Sequence, residues 1–422
     1  MGRTRAHARR IDEIGTPRFQ PPKRPGIFLL NFSTMKIIHR IILSAVLVTS
    51  LLSIPVSHAQ KNIAPSQKFL IFAGTYTNKT QSKGIYSLDF DAATGKLTLK
   101  GLAAETPDPS WVIIHPSGKF LYAANETGKA STVSAFGLDP KSGKLTPLNQ
   151  MSPQGEDPCY LSFDKTGKYL FAANYSSGTV TAFPILSDGK LGKPTATPKN
   201  QGTLGPNKER QEAPHAHWIE PSADNRSVYV ADLALDRILI YKFDAATGAL
   251  AQGTPVDQFS ATLAPGTGPR HAVFAPNGKF MYVLSEMSSS VTVFANDPQN
   301  TFRSVQEISA LPPGYKARND AAEIALHPSG NFLYTANRGE DTIAVFSVDH
   351  QSGKLTHLEN VPTQGKEPRN FVIDPTGKYL LAENENSDTI VEFKIDPATG
   401  KLTPTGDVVQ VPAPVCLTFL AK

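Results

Sequence analysis

The chain has 422 residues, 42 Lys and Arg against 37 Asp and Glu, a formal net charge of +5, and two cysteines. The charge is uneven: residues 1–59 hold nine Lys/Arg and two acids, which leaves 33 basic against 35 acidic residues from 60 onward. A folded part this close to neutral offers no nucleic-acid surface, and two cysteines make no disulfide framework.

Met35-Lys36-Ile37-Ile38-His39-Arg40 is a short basic stretch, and Ile41 to Ile54 is mostly apolar. Ser57-His58-Ala59 then precedes Gln60 as a small-x-small cleavage site. Residues 35–59 are therefore read as a secretory signal peptide, with an apolar core too short to span a bilayer comfortably. Cleavage after Ala59 would leave a periplasmic or secreted chain without a membrane span. Residues 1–34 show no periodicity and are read as an over-extended start or a disordered basic tail.

From there the chain repeats. Pro109-Ser110-Trp111-Val112-Ile113-Ile114-His115-Pro116-Ser117-Gly118-Lys119-Phe120-Leu121-Tyr122-Ala123-Ala124-Asn125 is answered by Pro158-Cys159-Tyr160 through Ala172-Ala173-Asn174, and the pattern returns from Pro214, Pro269, Ala322 and Pro368. The position of Asn125 recurs at Asn174, Asp232, Ser285, Asn337 and Asn384, in steps of 49, 58, 53, 52 and 47 residues. Each unit holds four short runs with β-branched or aromatic alternation, near 111–115, 119–125, 132–137 and 144–149 in the first full copy. Gly-bearing turns separate them. Four-stranded units of about fifty residues are propeller blades.

The last segment, from Pro414 to Phe419, has only the first strand of a unit, and the segment from Lys68 to Glu105 has only the later three. Together they complete a seventh blade. The expectation is an all-β, seven-bladed β-propeller over 60–422, closed by N- and C-terminal strands in one blade, which removes the open sheet edges. Cys159 follows its leading Pro directly and Cys416 comes one position later, so the two face different ways and no bridge is expected.

The two ends of this ring differ. The one–two and three–four turns are stereotyped: Pro-Ser-Gly-Lys, Lys-Thr-Gly-Lys, and Asp-x-x-Thr/Ser-Gly at 91–95, 244–248 and 349–353. Uniform turn chemistry reads as structure. At the other end, the residues after the leading Pro are Ser110, Cys159, His215, Arg270, Glu323, Arg369 and Val415. Those after the strand-two Asn position are Tyr76, Glu126, Tyr175, Leu233, Glu286, Arg338 and Glu385. Two rings of titratable residues should meet at one mouth of the channel, a convergent polar cleft on a rigid scaffold.

The stretch Gly205 to Trp218 emerges at that mouth and carries Arg210, Glu212, His215 and His217. On an extended chain the two histidines point to one side, where they could supply a base and an orienting group. A third metal ligand has no clear place, so no metal or other cofactor is expected. Arg270, Arg338 and Arg369 suit an anionic small molecule such as a carboxylate or phosphate.

Several motifs together resemble the lactonase family of seven-bladed propellers, which includes 6-phosphogluconolactonases and carboxymuconate cyclases. They are Ala73-Gly74-Thr75-Tyr76-Thr77, Ala173-Asn174-Tyr175, Arg210-Gln211-Glu212 through Pro214-His215-Ala216-His217, Gly268-Pro269-Arg270-His271 with Glu286, Asn337-Arg338-Gly339, and Pro368-Arg369-Asn370-Phe371. Ala234 departs from the pattern, standing where the family usually has Gly. The resemblance implies a metal-independent hydrolase of sugar lactones, with cyclases as relatives; an anionic lactone or sugar acid as the small-molecule partner and a monomeric chain are expected. It implies a catalytic set of His217 or His215, Arg270, Glu286 and Arg338. Arg369, Arg210, Glu212, Glu323 and Tyr175 are expected to bind substrate. Hydrolase, lactone cycloisomerase and non-catalytic glycan- or protein-binding propeller all remain open at this point.

Overall fold

The computed structural model describes residues 67–421, apart from 256–257, 259 and 298–300. The leader and residues 1–34 lie outside the described residues. Seven antiparallel sheets follow one another around a ring, and six of them hold at least four strands. The closing blade is built as the repeat requires. Strand Pro414–Ala421 pairs antiparallel with Lys68–Thr75, with Phe69 opposite Ala421 and Ala73 opposite Leu417. Gly84–Asp91 and Lys96–Glu105 complete that sheet.

The first full blade runs Pro109–Ile114, Phe120–Asn125, Thr132–Leu138 and Leu145–Met151, within two residues of the expected runs. The next departs from four strands. Pro158–Phe163, Tyr169–Asn174 and Thr179–Pro184 form a three-stranded sheet. Its outer edge is covered only by isolated bridges, Thr179 to Lys199, Ala182 to Ala196 and Ile185 to Leu191. Pro194 and Pro198 lie in that segment, and proline cannot donate to a continuous ladder.

Between blades, apolar side chains interdigitate. Phe171, Val180, Val230 and Tyr241 form one buried cluster, and Tyr334, Val345, Phe371 and Phe393 another. The buried strand-two Asn ties a blade to the connection that enters it. Asn125 Nδ2 donates to Thr106 Oγ1 at 2.8 Å and to the Pro107 carbonyl at 2.5 Å. Asp232 takes this place in its blade and accepts from the backbone N–H groups of His215, Ala234 and Leu235. Ala234 lies outside the left-handed region, so its position makes no demand for glycine.

A β-bulge decides where the site residues point. In each blade the pairing of strand one with strand two slips just inside the mouth: at Pro109/Trp111, Pro158/Tyr160, Ala216/Trp218, Pro269/His271, Ala321/Ile324, Pro368/Asn370, and opposite Gly74/Thr75 in the closing blade. A bulged residue leaves the ladder and its side chain is re-aimed. This register corrects the repeat alignment in two blades. Ala216, not Pro214, stands opposite Asp232, so His217 rather than His215 occupies the bulge. Ala321 stands opposite Asn337, so Ala322 takes the bulge and Glu323 lies one residue deeper.

Candidate active site

The bulge residues and the residues that end strand two do converge. At the centre is Glu286, which follows strand Phe280–Ser285. Arg210 Nη2 reaches its Oε1 at 2.5 Å, while Arg270 Nε and Arg338 Nη2 each lie 3.2 Å from its Oε2. These three arginines come from the connection before Ala216–Pro221, the strand Pro269–Phe274 and the end of strand Phe332–Arg338. Burial on its own would raise the carboxyl's pKa; Arg338, Arg270 and Arg210 override it and hold Glu286 down at about 2. Glu286 is thus a fixed anion whose oxygens are already occupied.

Arg270 is only 3% exposed. Its Nη1 donates to the Ala322 carbonyl at 2.5 Å and lies 3.3 Å from His271 Nε2. Among the described residues nothing hydrogen-bonds its Nη2. Burial, then Arg338 and Arg369, lower its pKa to about 10, so it stays charged at neutral pH. His271 Nδ1 lies 3.1 Å from Glu323 Oε2. The carboxylate places the imidazole proton on Nδ1 and leaves Nε2 as an acceptor towards Arg270. Burial lowers the His271 pKa to about 4 despite Glu323, so the ring is neutral.

His217 sits beside this group, its ring 5.1 Å from that of His271 and 5.5 Å from that of Tyr175. Its Nδ1 has the Cys159 sulfur at 3.7 Å. Burial, followed by Arg270, His271 and Arg369, pushes its pKa well below the ordinary histidine value. It is a neutral imidazole with a basic nitrogen available at neutral pH.

The remaining expected residues take outer places. His215 stacks on Tyr175 at 4.5 Å, its Nδ1 3.0 Å from the Tyr175 carbonyl and its Nε2 3.1 Å from Glu212 Oε1. The bulge at His217 breaks the two-residue alternation, which is why the two histidines have different surroundings instead of sharing one face. Arg369 lies over the Tyr76 ring at 5.1 Å, and the Tyr76 hydroxyl donates to Glu126 Oε2 at 2.8 Å. Arg338 Nε donates to the Asp320 carbonyl at 3.1 Å. Glu286 thus serves three arginines, whereas Arg369 rests on an aromatic face in the field of Glu126 and Glu385. Among the described residues no group of three or more His, Cys, Asp or Glu could hold a metal ion.

This arrangement was compared with known proteins. A family model described as lactonase, 7-bladed β-propeller, matches residues 70–419. The chain belongs to the lactonase family. A 6-phosphogluconolactonase of Bacillus subtilis is 38% identical over 354 residues, covering 84% of this chain and 99% of the relative. One from Formosa agariphila is 32% identical over 310 residues, 72% and 86% of the two chains. The solved periplasmic gluconolactonase of Pseudomonas aeruginosa is 32% identical, with a TM-score of 0.78 over 84% of this chain and 99% of that one.

As a lactonase, the protein is a lactone hydrolase. Two buried polar residues lie outside the set expected from sequence. His271 was quoted only within a motif, and its partners Glu323 and Trp111 come from other blades; Trp111 meets the His271 ring at 5.6 Å. Glu383 hides at the end of an apolar run, Leu380-Leu381-Ala382. It is 0% exposed, and neither carboxyl oxygen has a partner. The signal was a lone acid on a buried strand.

Proposed function

We propose that this lactonase is exported and hydrolyses the ring ester of an uncharged sugar lactone. One observation carries the chemistry: a buried His217, its pKa held low, stands beside Arg270, whose Nη1 is held by the Ala322 carbonyl and whose Nε faces Glu286 at 3.2 Å, while Nη2 has no hydrogen-bond partner among the described residues. His217 takes a proton from water as the new bond forms between the water oxygen and the lactone carbonyl carbon. Negative charge develops on the carbonyl oxygen and meets Arg270 Nη2. Collapse breaks the bond from that carbon to the ring oxygen. The imidazolium then returns its proton to the departing oxygen, which leaves as a hydroxyl.

The imidazolium forms next to Arg270 and Arg369, an unfavourable neighbourhood unless the oxyanion is present. Proton transfer is thereby coupled to attack on the carbonyl. Glu286 does not compete as the base, because three guanidinium groups occupy its oxygens. It fixes Arg270 instead. Arg369 and Tyr175, both only partly buried, are assigned to the substrate's hydroxyls.

Three of the arginines are already engaged with Glu286, which favours an unphosphorylated lactone. The leader at 35–59 supports export, as does likeness to a relative named as periplasmic. The test is hydrolysis of gluconolactone and 6-phosphogluconolactone by the chain beginning at Gln60, with N-terminal sequencing of the exported protein. Higher kcat/KM for gluconolactone and a mature start at Gln60 are expected. Turnover of neither lactone would overturn the activity, and a mature chain retaining residues 35–59 would overturn the cleavage.

A further inference from the structure

Two connections in the ring are long, and both border the site. One runs through Asn207, Glu209 and Arg210, and the other through Leu311 to Asp320. Long connections that are not disordered linkers are commonly functional. Between them opens a cavity of about 640 Å³, which lies beside Glu286 and not over it. Arg210 is the partition: it faces Glu286 at 2.5 Å on one side and lines the cavity on the other. A substrate whose carbonyl meets Arg270 would reach this space by passing Arg210, the residue that the cavity and the Glu286 cluster share.

The lining identifies what would fit. Arg318 gives both Nε and Nη2 to Asp320 Oδ2, at 3.1 and 3.0 Å, and Arg210 Nη1 lies 3.5 Å from Asp320 Oδ1. Glu209 adds a second acid to the lining. Two arginines against two carboxylates leave no net charge, and a phosphate there would meet the acids as closely as the bases. Asn207 Oδ1 accepts from the backbone N–H groups of Glu209 and Arg210, while the exposed Ser288 has its hydroxyl 2.8 Å from Ser290 Oγ. Met287, Leu311 and Ala317 supply apolar surface. A mostly polar lining of no net charge, with some apolar surface, suits a ring with hydroxyls on its edge and C–H bonds on its face.

We propose that this cavity is a subsite for a second, uncharged sugar ring, so that the preferred substrate is the lactone of a disaccharide oxidised at its reducing end. The inference rests on the sugar-lactone reading above. The reaction that supplies such a substrate is oxidation at the anomeric carbon of a reducing disaccharide.

The probes are gluconolactone and cellobionolactone, followed by acid release in a pH-stat above the spontaneous rate. In the wild-type protein kcat/KM for cellobionolactone should exceed that for gluconolactone by about tenfold or more, since remote contacts add binding energy. Ala317→Trp and Ser288→Trp fill the cavity from exposed positions. They should remove that excess while leaving gluconolactone turnover within about twofold. Turnover of gluconolactone without a preference for cellobionolactone overturns the subsite alone, as does a variant that slows both substrates equally. Turnover of neither lactone removes the reading on which the subsite depends, and the subsite with it.

Discussion

Both ends of the propeller carry polar contacts, but these are organised differently. At the turn end the same bonds recur around the ring. His115 and His327 each meet a serine two residues on at 2.8 Å and the carbonyl of a neighbouring blade's turn glycine, Gly167 and Gly377. Asp164 and Asp374 each accept from a threonine two residues on and from the backbone N–H groups four and five residues on. The glycine is needed there: Gly167 has φ +69°, and a Cβ on it would lie 2.9 Å from His115 Nε2. At the mouth the backbone bonds recur, with the N–H groups of Glu126, Tyr175, Glu286 and Glu385 donating to the carbonyls of Asp108, Asp157, Gly268 and Glu367, but the charged side chains follow no common pattern. Arg270, Arg338 and Arg369 occupy related places, yet the first two reach Glu286 and the third covers Tyr76. A polar contact copied from blade to blade serves folding, whereas one that occurs once is free to serve chemistry.

Substitutions can break this contrast from either end. The largest effect should come from His217→Gln, which should lower kcat/KM by about 10²- to 10⁴-fold, the range for a general base. The wild-type pH profile sharpens the assignment. Because kcat/KM reports the free enzyme, and the His217 pKa lies well below 6.5, activity should stay level as pH falls from 8 through 6.5. A half-loss at pH 6.5 would point to a histidine with an ordinary environment.

Next in size is Arg270→Ala, with an expected loss of about 100-fold in kcat/KM. Its counterpart at the turn end is Asp164→Ala. That change leaves the N–H groups of Thr166, Lys168 and Tyr169 without their acceptor, at a cost of about 1–3 kcal/mol of stability. Turnover by the folded fraction should be unchanged. Thermal melting and steady-state kinetics on both variants test the division. A turn-end variant that loses kcat/KM while keeping its melting temperature would contradict it.

The recurrence that marks the turn end also made the fold legible. Gly-Lys turns and the recurring Asn position were sufficient to count blades and to pair Pro414–Ala421 with Lys68–Thr75, because that chemistry is local and repeats. The convergence of Arg270, Glu286 and Arg338 followed from the same alignment. What escaped was non-local or broke the period. A bulge is one unpaired residue, and it moved the inward position from His215 to His217 and from Glu323 to Ala322. Charge signs are visible in sequence, but the sharing of Glu286 by three arginines depends on side chains from different blades. His271 was passed over for the same reason.

The smallest effect should come from Glu383, which belongs to neither pattern. Its carboxyl has no partner, and burial, aided by the nearby Glu323, raises its pKa well above the ordinary value. In the folded protein it therefore retains its proton at a pH where the unfolded chain has released it. For a carboxyl raised in this way, the folded state is penalised as pH climbs above about 4.5 and until the folded pKa is passed. Glu383→Leu keeps a side chain of similar size and removes that penalty. The melting temperature should rise by a few degrees at pH 8 and by less at pH 5, with kcat/KM unchanged. A variant less stable than wild type at pH 8 would mean that the carboxyl is held by a polar partner, and a loss of turnover at constant stability would move Glu383 into the site's proton chemistry.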